Sequence, residues 1–319
     1  MPDATPPGTV PALPEKPKRS ATPWIVGIAV VAVLAIVGGV VAVVNANSTG
    51  SADAAATSVT VKIGTTEQSA PYWPVLEKAA AKEGIDIQVV GFKDYTQANP
   101  ALADGQLDLN LFQHLQFLAN YNVQAHQDLV PLASTLVVPL SVYSKKYSSL
   151  AELPAGAQVA IPNDPTNQAR ALLVLQQAGL LKLKNGGNTL STPADIDAAA
   201  SKVTVIPVDA AQTAPALDSA AAAVINNTFV GPAGIDPNSA LFHDDPKSSA
   251  AEPYINAFVA RAKDKDNATF LKIADLYHSK AVQDAVLADS KNTAVIVQKP
   301  QADLIAILRS LEKSITAAK

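Results

Sequence analysis

The residues best suited to chemistry cluster in one stretch, Ile161-Pro162-Asn163-Asp164-Pro165-Thr166-Asn167-Gln168-Ala169-Arg170, which runs into the apolar series Ala171-Leu172-Leu173-Val174-Leu175. A short apolar run, residues 157–161, precedes it and reads as a buried strand. Asp164 is a good helix N-cap, and Pro165 suits the first helical position, where a missing N–H is harmless. The spacing therefore predicts strand, turn, helix, with free backbone N–H groups and the positive end of a helix dipole facing the turn. Arg170, early in that helix, adds a full positive charge. Together these features suit a small carboxylate, held bidentately by the guanidinium and supported by the helix N-terminus. The plainer alternative is a capped surface helix carrying a solvated arginine.

Other chemistries find less support. The four histidines, His114, His126, His243 and His278, sit in separate segments. No HExxH, GxSxG or phosphate-binding glycine loop accompanies them, so an enzyme is only an alternative reading. His243-Asp244-Asp245 could contribute to a cation site, which keeps a metal-binding receptor as a second alternative, although adjacent loop residues seldom complete a ligand shell. The sequence contains no cysteine, which excludes disulfides, thiolate metal sites and cysteine nucleophiles. No cofactor is implied. The net charge of −4, with no basic stripe, argues against nucleic acid as a partner.

Stepping outward from the candidate site, the chain reads as alternating strands and helices. Residues 59–64 and 85–90 alternate as strands, and residues 71–82 form a helix candidate between them. A short helix near 99–103, an apolar run at 107–112 and a helix from 114 to 122 follow. This alternation predicts an α/β domain with a mainly parallel sheet. Residues 130–143 form a long β-like run broken by Pro131 and Pro139, as expected of a strand passing between lobes. A second α/β unit holds the opening stretch, a helix at 169–178, a helix at 192–200, a strand at 203–206 and a strand entering Asn226 at its polar end. Ligands of open α/β sheets bind beyond the carboxyl ends of strands, where those amides would lie. The chain then returns through a strand at 254–260, helices near 268–277 and 280–288, and an amphipathic helix at 301–317.

The N-terminal region is of another kind. Residues 1–23 carry seven prolines and read as a disordered cytoplasmic tail. Residues 24–44 are 21 residues without a charged or polar side chain, enough to cross a hydrocarbon core of about 30 Å. Trp24 would sit at the interface, with Lys16, Lys18 and Arg19 on the cytoplasmic side. A cleaved signal peptide competes, but its apolar region is usually only about 7–15 residues long. The expectation is an uncleaved single-pass anchor, a linker at 45–58, and an extracytoplasmic body at 59–319.

Several blocks taken together resemble one family. They are Phe92-Lys93-Asp94-Tyr95, Asn99-Pro100-Ala101-Leu102-Ala103-Asp104-Gly105, Asp108-Leu109-Asn110-Leu111-Phe112-Gln113-His114, Tyr143-Ser144-Lys145-Lys146, the stretch around Arg170, Ala222-Ala223-Val224-Ile225-Asn226 and Pro253-Tyr254-Ile255-Asn256. The sequence is similar to the MetQ/NlpA family, methionine-binding solute receptors of bacterial ABC importers, from about Val61 to Val286. The resemblance implies a two-lobed type II periplasmic-binding fold, with lobe 1 at about 59–136 and 232–319 and lobe 2 at about 137–231. Methionine or a similar apolar amino acid would lie between the lobes, and an ABC permease with its ATPase would be the partner. Arg170 would pair with the ligand carboxylate, with Asn167 one turn before it. Asn226 and Asn256 would hold the amino acid's polar end, while Tyr95, Phe112, His114 and Phe117 would cage the thioether. Two departures stand out. Residues 65–73 (TTEQSAPYW) replace the usual Gly-Pro-His-type loop, and Phe117 replaces a common tyrosine. The acylated cysteine that tethers most family members has no counterpart here, which leaves the 24–44 segment as the tether.

Overall fold

The computed structural model describes residues 58–318. The expected tail, the membrane anchor at 24–44 and nearly all of the 45–58 linker lie outside them. Among the described residues no helix is long and apolar enough to cross a membrane.

Two five-stranded sheets organise the body. The first is built from β1 (Val59–Thr65), β2 (Ile85–Gly91), β3 (Leu109–Asn110), β4 (Val130–Ser134) and a late strand, β11 (Ala257–Ala260), in the order β2-β1-β3-β11-β4. Strands β1, β2 and β3 run parallel, while β11 is antiparallel to β3 and β4. The second contains β6 (Ser141–Tyr143), β7 (Ala157–Pro162), β8 (Val203–Val208), β9 (Ala222–Ile225) and β10 (Phe242–His243), in the order β10-β6-β9-β7-β8. Here β7 is parallel to β8 and β9, with β6 and β10 antiparallel at one side. The second sheet thus takes in a strand beyond residue 231, the expected end of the second lobe. Chain passes between the sheets at 135–140 and again at 244–256. The first passage carries β5 (Leu136–Val137), which pairs with β12 (Val295–Ile296).

Burial follows the apolar periodicity. In β1, buried Val61 and Ile63 alternate with exposed Thr60 and Lys62 and pack under α1 (Tyr72–Ala81), α6 (Ala268–Tyr277) and α7 (Lys280–Asp289) through Leu76, Ile273 and Val282. The other face is covered by α2 (Tyr95–Ala103), α3 (Leu115–Ala125) and α8 (Gln301–Ala317) through Leu102, Leu118 and Leu308. In the second sheet, Val159 and Ile161 pack on Leu172 and Leu175 of α4 (Pro165–Gln177). On its opposite face Ala160 and Ile225 meet Val230 of α5 (Asn227–Val230). A Cβ at Gly64 would run into the Leu107 side chain, which would have to shift.

The sheets are mixed rather than mainly parallel as expected, because late strands join each one antiparallel, and two further sequence expectations fail locally. The helix expected at 192–200 is a pair of 3-10 turns, Pro193–Asp195 and Ala198–Ala200, split by extended Ile196 and Asp197. The Thr192–Asp195 capping box closes the first turn on itself, and no apolar stripe follows to extend it. The strand expected from 254 begins only at Ala257, because Pro253 lies in a 3-10 turn that runs through Tyr254.

Each sheet has its own core, so each should register a cavity separately. Leu76→Ala under the first sheet and Leu172→Ala under the second remove fully buried side chains. Each should lower the unfolding free energy by about 2–5 kcal/mol in chemical denaturation.

Candidate functional site

A cleft between the sheets encloses about 860 Å³ of empty space, including its open mouth. Each of the eight candidate residues lines it: Tyr95, Phe112, His114, Phe117, Asn167, Arg170, Asn226 and Asn256. Their hydrogen bonds show which polar groups are already committed and which are open.

Arg170 is not a free cation. Its Nε donates to Asp244 Oδ2 at 2.8 Å and its Nη2 to Asp244 Oδ1 at 3.2 Å, with side chains only 4% and 14% exposed. Nη2 also donates to the Val138 carbonyl at 2.8 Å. The guanidinium lies over the Tyr254 ring, 4.2 Å from its centroid. Among the described residues this leaves Nη1 without a partner, and its two N–H groups are the donors still on offer. Asp244 accepts in addition from the Leu140 amide at 2.8 Å. Its carboxylate is thus committed, which removes the central member of the His243-Asp244-Asp245 cation alternative. Among the described residues no cluster of three or more His, Asp or Glu side chains is arranged to hold a metal ion.

Asn167 is a hub rather than an open amide. Asp164, the N-cap of α4, accepts from the Asn167 backbone N–H at 3.0 Å and from its Nδ2 at 3.0 and 3.1 Å. Asn167 Oδ1 accepts from Asn226 Nδ2 at 2.8 Å and faces His114 Nε2 at 3.4 Å. Asn226 Oδ1, by contrast, is buried with no partner. An orphaned buried acceptor is expensive, so this carbonyl is poised for a donor that enters the cleft. Asn256 makes only long contacts through Nδ2, at 3.4 Å to the carbonyls of Leu136 and Tyr254.

His114 caps α3, its Nδ1 accepting from the Phe117 amide at 3.1 Å. That fixes the tautomer: Nε2 carries the hydrogen and points at Asn167. Burial, helped by the Arg170 charge, lowers its pKa to about 3. The ring is therefore a neutral donor throughout the physiological range.

The aromatic residues form a cage. Tyr95 lies 6.2 Å from Phe112 and 6.1 Å from Phe117, ring centre to ring centre, and Phe112 and Phe117 are 5.8 Å apart. A ring that the sequence reading missed, Phe229 of α5, packs against Tyr95, 5.5 Å centre to centre, without lining the cleft itself. Burial holds the Tyr95 hydroxyl protonated, pushing its pKa up. The cleft is bridged by Thr228 Oγ1 donating to Glu67 Oε1 at 2.9 Å and by Lys291 paired with Asp236 at 3.1 Å. Glu67 lies in the 65–73 loop. One end of the cleft thus offers a donor pair and a lone acceptor, and the other an apolar box, the pattern an α-amino acid with an apolar side chain requires.

The His114 environment has a consequence for stability. An ordinary histidine titrates near 6.5, so between that value and about 3 the unfolded chain binds a proton that the folded chain does not. His114 therefore leaves stability unaffected above pH 6.5 and erodes it as pH falls below that. The melting temperature of His114→Asn should decline less steeply than that of the parent between pH 6.5 and pH 4.

The profile of the family described as NlpA lipoprotein matches residues 61–298. The "Probable D-methionine-binding lipoprotein MetQ" of Haemophilus influenzae is 39% identical over 255 residues, 78% of this chain and 86% of that one. The substrate-binding protein of a methionine transporter from Streptococcus pneumoniae superposes with a TM-score of 0.70 at 35% identity, over 75% of this chain and 95% of that one. A nutrient-binding protein from Burkholderia cenocepacia, solved bound to methionine, gives 0.69 at 37% identity, over 74% and 99%. The mixed α/β fold with two sheets is thus that of substrate-binding proteins. With the profile spanning most of its length and relatives more than a third identical over most of theirs, this chain belongs to the NlpA lipoprotein family.

Proposed function

We propose that this chain is the extracytoplasmic solute receptor of an ABC importer, with a type II periplasmic-binding architecture, and not an enzyme. It encloses methionine or a similarly apolar amino acid between two lobes, and the closed form delivers it to a permease driven by its ATPase. The observation that carries this reading is the orphaned Asn226 carbonyl facing the same cleft as the unpartnered Nη1 of Arg170 and the aromatic cage. The ligand carboxylate takes the Nη1 donors, its ammonium fills the Asn226 acceptor with help from Asn256, and its side chain enters the box of Tyr95, Phe112 and Phe117. A thioether suits that box, since sulfur and apolar groups pack well on aromatic rings. His114 and Asn167 hold the amides and rings in place. Relatives named as methionine-binding support the choice of ligand.

The relatives are named as lipoproteins, yet the present sequence offers no cysteine to acylate. We infer that residues 24–44 replace the lipid as an uncleaved, single-pass tether, leaving the body outside the membrane. Intact-mass measurement of membrane-extracted protein should find residues 1–46 still attached, and a mature N-terminus near Asn47 would refute the tether.

Calorimetry tests the ligand site. Arg170→Ala should weaken methionine binding by roughly 30- to 4,000-fold, the equivalent of about 2–5 kcal/mol. It should also destabilise the fold, because Asp244 is left buried and unpaired. The double variant Arg170→Ala/Asp244→Ala should recover stability but not affinity, which separates the two roles. Phe112→Ala should weaken methionine more than alanine as ligand, because only the longer side chain reaches the cage. An Arg170→Ala affinity within threefold of the parent would sink the assignment.

A further inference from the structure

A second cavity lies beside the ligand cleft, and both contacts that bridge the sheets line it: Glu67 with Thr228, and Lys291 with Asp236. Lys291 lines this cavity and not the first. It stands just past the C-terminus of α7, with a left-handed φ of 47°, and Asn292 follows at 61°. Helices often end on one left-handed residue, but the place usually goes to glycine or asparagine, because a Cβ there costs backbone energy. Lysine therefore stands at a strained position that glycine would relax, and strain of this kind points to a function. The turn is closed by the Lys291 N–H donating to the Ala288 carbonyl at 3.1 Å and the Asn292 N–H donating to the Leu287 carbonyl at 2.8 Å. From it the ammonium reaches Asp236 Oδ1 on the other side of the cavity, at 3.1 Å. That oxygen is already held in place, since it also accepts from the Asn238 amide at 3.1 Å.

Both partners are tied to the parts that must move together. Residues 289–294 run as a strap along the cleft, with Asp289, Ser290 and Ala294 lining the ligand cavity. The strap continues into β12, which pairs with β5 on the first passage between the sheets. Asp236 lies between α5, capped by Asn226, and β10, after which the chain enters the second passage at Asp244.

We propose that Lys291 is a latch: its ion pair with Asp236 forms only when the sheets close on each other, and it sets how long the receptor holds its ligand. The inference rests on the amino-acid-receptor reading above and adds a retention device outside the ligand's own contacts. Both side chains are 53% exposed, so water and salt screen the pair and it adds little to the stability of the fold. A closing cleft uses the same small energy differently. The open form separates the two charges and the closed form joins them, so the whole interaction falls on the balance between those forms. A ligand enclosed in the cleft leaves only when it opens, and release slows accordingly. The strained backbone adds a signature of its own. A purely structural lysine should weaken the fold when replaced, whereas Lys291→Gly relaxes the turn and loses only the latch.

The test uses the full-length chain in detergent, L-methionine as probe, and the variants Lys291→Gly, Asp236→Asn and the two combined. Asparagine at 236 keeps the acceptor for the Asn238 amide and removes only the charge. Radiolabelled L-methionine chased with unlabelled ligand should leave each single variant about two- to fivefold faster than the parent. The double variant should release it no faster than either single one. Salt at about 0.5 M should bring the parent toward the variants. The melting temperature of Lys291→Gly should equal or exceed that of the parent. Because the chain has no cysteine, nitroxide labels at Ala81→Cys and Ala199→Cys report the distance between the two sheets alone, and each latch variant should widen its distribution in the absence of ligand. Unchanged release in both single variants overturns the latch and leaves the receptor reading standing. Additive effects in the double variant overturn the pairing with Asp236, and a lower melting temperature for Lys291→Gly returns that residue to a structural role. If L-methionine does not bind at all, the receptor reading fails, and the labels judge the latch by themselves: identical distributions in parent and variants overturn it.

Discussion

The ion pair between Arg170 and Asp244 constrains more of this structure than any other contact. It joins the start of α4, under the second sheet, to both segments that pass between the sheets. Nη2 holds the Val138 carbonyl on the first passage, Asp244 and Tyr254 belong to the second, and Asp244 reaches back to the Leu140 amide on the first. A buried ion pair contributes little net stability, since the desolvation of two charges roughly offsets their attraction. Its effect is geometric. With Nε and Nη2 committed, the guanidinium plane has one orientation, and the remaining N–H groups on Nη1 are aimed before any ligand arrives.

A chain of hydrogen bonds extends that fixity across the cleft. Asp164 caps α4 and grips Asn167, which in turn holds the Asn226 amide and faces His114. Around Arg170 the charges balance. Arg170 and Asp244 cancel, and His114 stays neutral because burial and the neighbouring guanidinium both oppose its protonation. In a site of low dielectric, an unbalanced ligand charge would be costly. A zwitterion brings a carboxylate and an ammonium that meet a donor and an acceptor already set opposite each other, so its polar end adds no net charge. That balance holds only at the polar end. At the other end the carboxyls of Glu67 and Asp289 have their pKa values raised by burial.

How much of this was legible in the sequence depended on how local each feature is. The strand, turn and helix around Arg170 could be read because the cap, the proline and the apolar series lie within a few residues of one another. Phe112, His114 and Phe117 fall on one short segment, so three members of the lining were found together. Asp244 was not found as a partner, because it lies 74 residues from Arg170 and looked like part of a histidine-aspartate tract. Phe229 and Glu67 were missed for a similar reason: each acquires its role only when the second sheet closes on the first. The alanine-rich run at 192–200 misled in the opposite way, since helix propensity without a face to bury yields turns. Asn167 lines the cleft as expected of a site residue, but its ties to Asp164 and Asn226 could not be read from the sequence, because an amide's spare hydrogen-bonding capacity cannot be counted until its neighbours are known.

The cage shows how a fold holds aromatic rings still without filling the space between them. Gln113, between Phe112 and His114, turns its amide into a buried network: Nε2 donates to Asn99 Oδ1 at 2.6 Å and to Asn110 Oδ1 at 3.0 Å, and Oε1 accepts from Asn99 Nδ2 at 2.7 Å. Asn110 Nδ2 closes the set on Asn99 Oδ1 at 2.8 Å. The three amides come from α2, β3 and the turn before α3, and all are buried. Such a network is stable only when every member is satisfied, so it tolerates one arrangement of the turn. His114 then anchors the other side, capping α3 through Nδ1 and bridging to Asn256 through its backbone. The rings on either side of Gln113 are thus positioned by polar contacts around them, which leaves their faces free. A cavity whose walls are fixed in this way stays open at little entropic cost, and the ligand that enters it need not order the walls.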